Sequence, residues 1–266
     1  MSIGGFWRPL WAYRGFILGS VKREFQLKYQ NSMLGAAWTI IQPLSMIIVY
    51  TLIFSQVMRA KLPGVDSTFA YSIYLCAGVL TWGLFAEITG RAQNMFIENA
   101  NLLKKISFPR LSLPIVVVLN AGVNFAMIFG LFILFLLVSG NLPGWPLLDL
   151  LPLLLIQVAF AIGLGIILGV LNVFFRDVGQ FFNVVMQFWF WLTPIFITEE
   201  LVPENMRFLM RYNPMSYVVN AYRERLLSYR APDLEELAIL AAFAVTAFVI
   251  GGLFFRHLKR GFADVL

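Results

Sequence analysis

Long apolar stretches recur along this chain and constrain its fold more than any other feature. Residues 113–138 and 151–174 carry no charged side chain, and about 20 such residues let an α-helix cross a hydrocarbon core of about 30 Å. Of the 266 residues, 60% are hydrophobic and 13% are charged, whereas soluble domains carry about 25% charged residues. The alternating pattern of barrel strands is absent. The sequence therefore predicts an all-α integral membrane protein.

Six transmembrane helices fit the pattern of apolar residues. We predict spans at about 36–57, 69–90, 113–138, 151–174, 179–197 and 236–255. Residues 1–35 would then form an N-terminal region outside the hydrocarbon, and residues 36–266 a single transmembrane domain. Gly163, Gly165 and Gly169 fall inside the fourth span. Because small residues let membrane helices approach closely, we interpret these glycines as packing residues.

An even number of spans places both termini on one side of the membrane. The segments on that side hold 13 Lys and Arg residues and four acids, whereas those on the other side hold seven and nine. Because loops rich in Lys and Arg stay in the cytoplasm, we predict that both termini are cytoplasmic. Topology and anionic membrane lipids account for the basic balance, so no nucleic-acid partner is expected.

Residues 6–30 alternate aromatic and basic side chains, a composition typical of a helix that lies in the membrane interface. We predict such an amphipathic helix on the cytoplasmic surface, followed by a corner into the first span. Within that span, Gln42 and Pro43 allow two interpretations. They either relieve a kink in the helix or face a pathway.

Residues 96–112 connect the second and third spans with a short basic segment. Asn99 or Asn101 could cap a short helix there, and Pro109 would end it. The residues alone leave two interpretations open, a plain connector or a knob that docks into a cytoplasmic partner.

A pair of short helices is predicted on the outer side, between residues 198 and 235. Pro203 can open the first helix. Asn213 followed by Pro214 is typical of an N-cap with proline at the first helical position. The second helix would extend to residue 228 and reach about 22 Å, which is too short to cross a membrane.

The second of these outer helices carries an apolar stripe beside a charged one. Its apolar positions include Tyr217 and Tyr222. Its charged positions, Arg223, Glu224 and Arg225, would face water or headgroups. The two helices are therefore predicted to form a re-entrant helical hairpin that dips into the outer leaflet before the last span.

Missing residues argue against several kinds of catalytic chemistry. His257 is the single histidine and lies in the basic tail, so a histidine-based catalytic or metal site within the membrane is not expected. The chain has no GxxxxGK[ST] sequence and therefore no phosphate-binding loop for ATP. We predict that the chain is not an enzyme and holds no cofactor or metal. Any ATP dependence would come from another subunit.

Glu87 lies inside the second predicted span, where a charge is costly. Arg91 follows four residues later, so the two side chains can form an ion pair on one helical face. The pair is either an interfacial one that reaches the headgroups or a cytoplasmic gate that faces a pathway.

Aromatic residues are concentrated in the second and fifth spans. Those that share a face of the second span, or that precede the Thr193-Pro194 break in the fifth, are Tyr71, Tyr74, Trp82, Phe85, Trp189 and Trp191. Aromatic residues near a membrane interface often serve only as belt residues. The alternative is a channel lined by ring faces, which suit the apolar faces and polar rims of sugar rings.

Five segments occur in a recognisable order. They are LKYQNSMLGAAWTIIQPL at residues 27–44, NLLKKISFPR after the second span, FFRDV after the fourth, QFWFWLTPIF in the fifth and YNPMSYVVNAYRERLL before the sixth. Their order and spacing resemble the permease subunit of ABC-2 type polysaccharide exporters, which move lipid-linked O-antigen, capsule or teichoic acid polymers. The resemblance covers nearly the whole chain and implies ATP-driven export across the cytoplasmic (inner) membrane, with O-antigen favoured. An exporter of drugs or lipids and a membrane protein that assembles glycans without moving them are the alternatives.

The resemblance also implies partners for this chain. A homodimer would pair with two copies of a separate ABC ATPase subunit, which would bind ATP and Mg. The corner after the N-terminal helix would be a substrate entrance, formed by Lys28, Tyr29, Ser32 and Gly35.

The same resemblance implies roles for two further groups of residues. It also implies that the channel aromatics contact sugars. The loop after the second span would couple to the ATPase through Asn101, Leu102, Leu103, Lys104, Lys105, Phe108 and Pro109. The outer hairpin would supply gate helices that contain Pro203, Asn213, Pro214, Tyr217, Tyr222 and Arg223.

Overall fold

The regular elements of this chain are helices throughout the part that the computed structural model describes, residues 13–29, 33–53, 69–104, 110–196, 202–230 and 233–258. The α-helices are, in chain order, α1 (Arg14–Tyr29), α2 (Trp38–Tyr50), α3 (Ala70–Ala92), α4 (Met95–Glu98), α5 (Ala100–Leu103), α6 (Ser112–Val138), α7 (Leu150–Phe174), α8 (Asp177–Leu192), α9 (Arg207–Arg211), α10 (Pro214–Arg223) and α11 (Leu234–Leu258). Short 3₁₀ turns precede α2, α7 and α9 at Gly35–Ala37, Trp145–Asp149 and Glu204–Met206, and a π turn, Glu224–Ser228, follows α10. The all-α prediction is confirmed for these residues.

Among the described residues, four helices are long and apolar enough to cross a membrane. They are α3, α6, α7 with the turn before it, and α11. They match the spans predicted at 69–90, 113–138, 151–174 and 236–255, with ends that differ by a few residues. The apolar runs therefore predicted these four elements correctly.

The other two predicted spans are helical but shorter. α2 has 13 residues and continues as helix to Ile53, and residues 54–57 of that predicted span lie outside the described residues. α8 has 16 residues, which cover about 24 Å, less than a hydrocarbon core of about 30 Å. It ends at Thr193, where the backbone is extended with φ −94° and ψ 134°, because Pro194 disfavours helical geometry in the residue before it.

α7 lies at the centre of the fold and packs against both α3 and α11. A Cβ atom at Gly163 would lie 2.7 Å from the backbone nitrogen of Phe248 in α11. A Cβ atom at Gly165 or Gly169 would lie 2.4 or 2.6 Å from atoms of Ala92 in α3. These distances leave no room for a side chain, so glycine lets the helix backbones meet. The predicted packing role of the three glycines is confirmed.

The long helices run up and down, so different residues form the two ends of the bundle. At one end, the Phe96 ring stacks on the Phe255 ring with centroids 5.7 Å apart. Arg91 lies in the last turn of α3, and we call this end of the bundle the basic end. At the opposite end, the Phe69 and Phe135 rings meet edge to face at 6.0 Å.

The contact between α7 and α11 predicts the effect of a single added methyl group. We expect Gly163→Ala to lower the free energy of unfolding by about 1–3 kcal/mol, because overpacked cores must shift backbone atoms apart. Equilibrium unfolding of the purified protein in mixed detergent would measure this change.

Gly122→Ala in α6 is the matched control, because a Cβ atom there would meet nothing within 4 Å. We expect it to leave stability unchanged or to raise it by up to about 1 kcal/mol through helix propensity. Equal losses in the two variants would contradict the packing role.

Candidate functional site

Glu87 and Arg91 lie on one face of α3 near the basic end and form the ion pair that their spacing predicts. The Arg91 Nε atom donates to the Glu87 Oε1 atom at 3.1 Å. The Arg91 side chain is 38% exposed and the Glu87 side chain 20%. The pair is thus only partly screened by solvent, and the second carboxylate oxygen of Glu87 needs a donor of its own.

Three more side chains extend this pair into a polar network, which consists of Glu24, Glu87, Arg91, Asn120 and Asn124. The Arg91 Nη1 atom donates to Glu24 Oε2 in α1 at 2.9 Å, and Asn120 Nδ2 donates to the same oxygen at 2.6 Å. Asn124 Nδ2 donates to Glu87 Oε2 at 2.7 Å. The polar network therefore ties α1 to the two long helices α3 and α6.

Glu24, Asn120 and Asn124 were not among the residues predicted to form a site. A signal for the two asparagines was present, because they lie four residues apart in a stretch of α6 that is otherwise apolar. Residues at that spacing share a helical face, and polar groups inside a membrane need partners. Glu24 gave no comparable signal, since it lies among other charged residues in α1.

The polar network lies between two cavities. The larger, about 560 Å³, lies between α1 and α6 and is bordered by Arg91 and Asn124. The smaller, about 300 Å³, lies between α2, α3 and α6 and is bordered by Gln42, Pro43, Glu87 and Asn124. Gln42 thus shares a cavity with a carboxylate of the polar network, which favours the interpretation that it faces a pathway.

The residues predicted to form a substrate entrance fall at the junction of α1 and α2. Lys28 and Tyr29 are the last two residues of α1, but their side chains, and the whole of Ser32, lie outside the described part. Gly35 begins the turn before α2 with φ +50°. This left-handed conformation is one that glycine adopts without strain. The positive φ of Gly35 is compatible with the predicted corner, which stays a prediction.

Part of the segment predicted to couple to an ATPase is described. Asn101, Leu102 and Leu103 belong to α5, and Lys104 follows it. Leu103 is buried against the core, whereas Asn101 and Lys104 are exposed near the basic end. The members that lie outside the described residues are Lys105, Phe108 and Pro109.

The short helix predicted in this segment is present, but its cap differs from the prediction. Asn99 occupies the N-cap position of α5 without a capping hydrogen bond, and Asn101 lies inside the helix. The Asn99 Nδ2 atom donates back to the Met95 carbonyl at 2.8 Å. Asn99 therefore takes the predicted N-cap position, but its side chain makes no capping hydrogen bond.

Tyr74, Trp82 and Phe85 share one face of α3, and that face is buried in protein. Phe85 is 0% exposed, and its ring stacks on Phe160 at 5.5 Å and meets Trp189 edge to face at 5.1 Å. The Trp82 ring meets the same tryptophan at 6.3 Å. These rings form one internal cluster, so the structure does not support the prediction that Trp82 and Phe85 line a channel.

Tyr71 and Trp191 lie outside this cluster. Tyr71 is half-buried, and its hydroxyl donates to the Phe196 carbonyl at 3.1 Å. Trp191 is 67% exposed on the side of α8 that faces away from the core. Among the six aromatic residues predicted to line a channel, Trp191 presents the most accessible ring.

Asn213 caps α10 at the opposite end and also binds the end of α8. Its Oδ1 atom accepts from the Met215 amide at 2.9 Å and from Trp189 Nε1 at 2.7 Å. Its Nδ2 atom donates to Thr193 Oγ1 at 3.0 Å. The predicted N-cap, with Pro214 at the first helical position, is confirmed.

Arg223, the last residue of α10, is buried at 5% exposure. Its Nε atom donates to the Tyr74 carbonyl at 3.2 Å, its Nη2 atom to the Ile195 carbonyl at 2.7 Å and its Nη1 atom to the Pro194 carbonyl. The guanidinium carbon lies 3.4 Å from the centroid of the Tyr74 ring, a cation–π contact. Gly78 provides space for it, since a Cβ atom there would lie 2.9 Å from Nη2. We call this set of contacts the arginine clamp.

The prediction that Arg223 and Arg225 face water or headgroups is wrong. The break after α8 leaves the Pro194 and Ile195 carbonyls without helical partners, and a planar guanidinium can bind several such groups at once. The Arg225 side chain is only 11% exposed and pairs with Asp149. These cations therefore hold α10 and the turn after it to the bundle.

Three more residues predicted for the outer gate lie in or beside α9 and α10. Pro203 precedes the turn Glu204–Met206. The Tyr217 hydroxyl donates to the Arg211 carbonyl. Tyr222 is 2% exposed and packs in the core. The helical character of this region is confirmed, whereas its role as a gate stays a prediction.

The two sites are sets of contacts that hold helices together. The polar network joins three helices at the basic end, and the arginine clamp joins α10 to α3 and to the end of α8. Among the described residues, no group of three or more His, Cys, Asp or Glu could hold a metal ion.

Residues 17–227 match the family model of the ABC-2 type transporter. This range runs from α1 to the π turn after α10 and therefore contains both the polar network and the arginine clamp. The chain belongs to the ABC-2 type transporter family, and its long apolar helices agree with a membrane-spanning transport protein of that family.

Individual relatives are similar to nearly the whole chain. An O-antigen export system permease protein RfbA from Klebsiella pneumoniae is 31% identical over 245 residues, which cover 92% of each chain. A protein of the same name from Myxococcus xanthus is 30% identical over 259 residues, 97% of each chain. The polysialic acid transport protein KpsM from Escherichia coli is 19% identical over 237 residues, 88% of this chain and 90% of the relative. The predicted resemblance to polysaccharide export permeases is confirmed.

The contacts of the polar network predict the local stability of α1. Arg91→Ala removes the donor that joins the Glu24 and Glu87 carboxylates. We expect amide hydrogen exchange in α1 to become about fivefold faster, because a partly exposed ion pair contributes up to about 1 kcal/mol to such local stability. Exchange of the purified protein followed by mass spectrometry would measure this.

Arg23→Ala is the control, since Arg23 is exposed on the same helix and the structure describes no ion pair for it. We expect exchange in α1 to stay at the parent rate in that variant. If both variants behaved alike, the polar network would not be what holds α1.

The arginine clamp predicts a larger effect on stability. Arg223→Met leaves the buried Pro194 and Ile195 carbonyls without their donor and removes the bond to the Tyr74 carbonyl, so we expect the free energy of unfolding to fall by about 3 kcal/mol. Arg223→Lys should recover only part of this loss, because one ammonium cannot reproduce the planar fork. Equilibrium unfolding in mixed detergent would compare the variants.

Arg230→Met provides the comparison, because Arg230 is exposed in the same region. Its effect should stay within about 0.5 kcal/mol, as for most surface substitutions. A loss at Arg223 no greater than that at Arg230 would rule out the clamp as a structural anchor.

Proposed function

We propose that this chain is the permease subunit of an ATP-driven transporter that exports a lipid-linked polysaccharide across the cytoplasmic membrane. An O-antigen is the first candidate for this polysaccharide. The observation that carries this proposal is the similarity to two O-antigen export permeases, at 31% and 30% identity over 92% and 97% of the chain. The region of similarity includes both the polar network and the arginine clamp. The similarity is therefore not confined to one apolar helix.

The proposed subunit has six spans, of which α2 and α8 supply the two beyond the four long helices. Residues 1–35 form the N-terminal interface region, and residues 36–266 the transmembrane domain. Both termini and the basic end lie in the cytoplasm, as the excess of Lys and Arg on that side supports. α9 and α10 have 5 and 10 residues, too few to cross a bilayer, and form a re-entrant hairpin on the outer side.

The energy source in this proposal is a separate ABC ATPase. The chain has no phosphate-binding loop sequence, so two copies of the partner would bind ATP and Mg for a homodimer of this chain. Asn101 and Lys104 are exposed on a short helical segment near the basic end, where a cytoplasmic partner could reach them. We place the coupling contact there.

The contacts within the subunit suggest a route for the movement. α4 and α5 follow directly after α3, which carries Glu87 and Arg91. A push on α5 by the ATPase would therefore shift α3, and with it the polar network that holds α1 and α6. In this proposal the region of Lys28 to Gly35, next to α1, admits the lipid end of the substrate.

Export of a capsule polymer is the second candidate function. It is favoured by the similarity to the polysialic acid transport protein from Escherichia coli over 88% of the chain. The identity there is 19%, compared with 31% for the O-antigen permease from Klebsiella pneumoniae. We therefore rank capsule export below O-antigen export.

Complementation tests the proposed function. The gene for this chain would be deleted in its host and restored on a plasmid, and surface polymer would be measured by gel and antibody. We expect deletion to abolish surface polymer and restoration to recover it. The tagged chain should also copurify with an ATPase whose activity appears in the complex.

The coupling contact is tested in the same cells by reversing one charge. Lys104→Glu should lower export at least about fivefold, because a like charge placed in a complementary interface weakens it by about 1 kcal/mol or more. Lys104→Arg keeps the charge and should retain export. Normal surface polymer in the deletion strain, or a chain that isolates alone and ignores ATP, would contradict the proposed function.

A further inference from the structure

α8 has two faces of different character. On one face, Phe182 is buried and Met186, Trp189 and Phe190 pack against the core. The opposite face is exposed along the whole helix. Such an exposed face in a membrane protein meets lipid, another protein or water, and its side chains decide which of the three it suits.

The exposed face carries a line of amide side chains that ends in an indole. Gln180, Asn183, Gln187 and Trp191 are all exposed. With 3.6 residues per turn, they fall within an arc of about 80° and extend over about 16 Å of the helix. We call these four residues the amide stripe. Beside it runs an apolar strip that contains Phe181, Val184 and Phe188.

Lipid is an unsuitable neighbour for the amide stripe. Each carboxamide has two donors and an acceptor, and hydrocarbon offers partners for none of them. Within the part of the chain that the structure describes, Gln180 and Gln187 make no side-chain hydrogen bond, and Asn183 accepts one from Gln93 Nε2 at 3.0 Å. The Gln93 Oε1 atom is itself buried without a described partner. The donors and acceptors of the amide stripe that lack partners therefore require water or hydroxyl groups as neighbours.

We propose that the amide stripe forms part of the wall of a water-filled path and contacts the hydroxyl groups of the exported sugar polymer. This inference rests on the proposed function and adds the residues that touch the substrate. Neutral amides donate to and accept from hydroxyl groups, and they recur at intervals of about one helical turn, or about 5–6 Å. The exposed ring of Trp191 offers a stacking surface at the outer end of the line.

A second copy of this chain is a less suitable occupant. Membrane helices that pack closely place small residues at the contact, whereas the amide stripe has no Gly, Ala or Ser and presents bulky Gln187 and Trp191 side chains. A contact between two such faces would leave gaps beside these side chains. A moving polymer, by contrast, requires only weak contacts that are made and broken in turn.

Cysteine labelling tests this inference in whole cells. Cys76 is buried and is the single cysteine, so Cys76→Ala provides the background. Gln180→Cys and Gln187→Cys would be compared with Phe181→Cys and Phe188→Cys on the apolar strip. A small charged methanethiosulfonate should label the first pair at least about tenfold faster, because a thiol in apolar surroundings forms little thiolate.

Contact with the polymer is tested by removing the polymer. Labelling of Gln187→Cys should be at least about threefold slower in cells that make the polymer than in cells that lack its first glycosyltransferase, because polymer held by about one modest hydrogen bond to the remaining amide side chains would cover the thiol. Val184→Cys should show no such difference.

Three outcomes would overturn the inference. Slow labelling at all positions would mean that the face meets lipid. Oxidant-induced dimers through Gln180→Cys and Gln187→Cys, without labelling, would mean that a second copy covers it. Fast labelling without protection would mean that the polymer passes elsewhere. Export of polymer is measured in the same cells. If a variant exports polymer but its amide stripe gives one of these three outcomes, the inference is refuted and the proposed function is left intact.

Discussion

Hydrocarbon offers no hydrogen-bond partners, and this constraint explains where polar groups lie in the structure. Several polar side chains within the long helices bind backbone or one another. The Thr81 hydroxyl donates to the Ala77 carbonyl of its own helix, while Gln157 in α7 donates to the Thr81 carbonyl at 2.7 Å. Asn172 in α7 donates to the Gln93 carbonyl at 2.9 Å. The same requirement produces the polar network at one end of the bundle and the arginine clamp at the other.

The proline after α8 shows how one break in a helix organises its surroundings. Pro194 ends α8 and frees backbone carbonyls near the opposite end, and these groups need donors. Asn213 and Arg223, at the two ends of α10, supply them. α10 is thus positioned by backbone groups that an unbroken α8 would have satisfied itself.

The sequence predicted the features that depend on local spacing. Runs of apolar residues predicted the four long helices, the interval of four predicted the Glu87–Arg91 pair, and the Asn213-Pro214 step predicted a cap. The partners of Arg223 could not be predicted, because its nearest carbonyl acceptors lie 28 and 29 residues away in a segment without regular structure. The periodicity of α3 likewise identified residues that share a face, such as Phe85, but it could not tell whether that face meets water or protein.

The contacts of α10 have a mechanical consequence. Asn213 binds the end of α8, and Arg223 binds both the segment after α8 and the Tyr74 carbonyl of α3. The short helix is therefore fastened to the end of α8 through Asn213, and to α3 and the segment after α8 through Arg223. Movement of α10 alone would strand several buried acceptors, at about 1–3 kcal/mol each. A displacement that carries α3, α8 and α10 together keeps every one of these bonds, so we expect these three helices to move as a block.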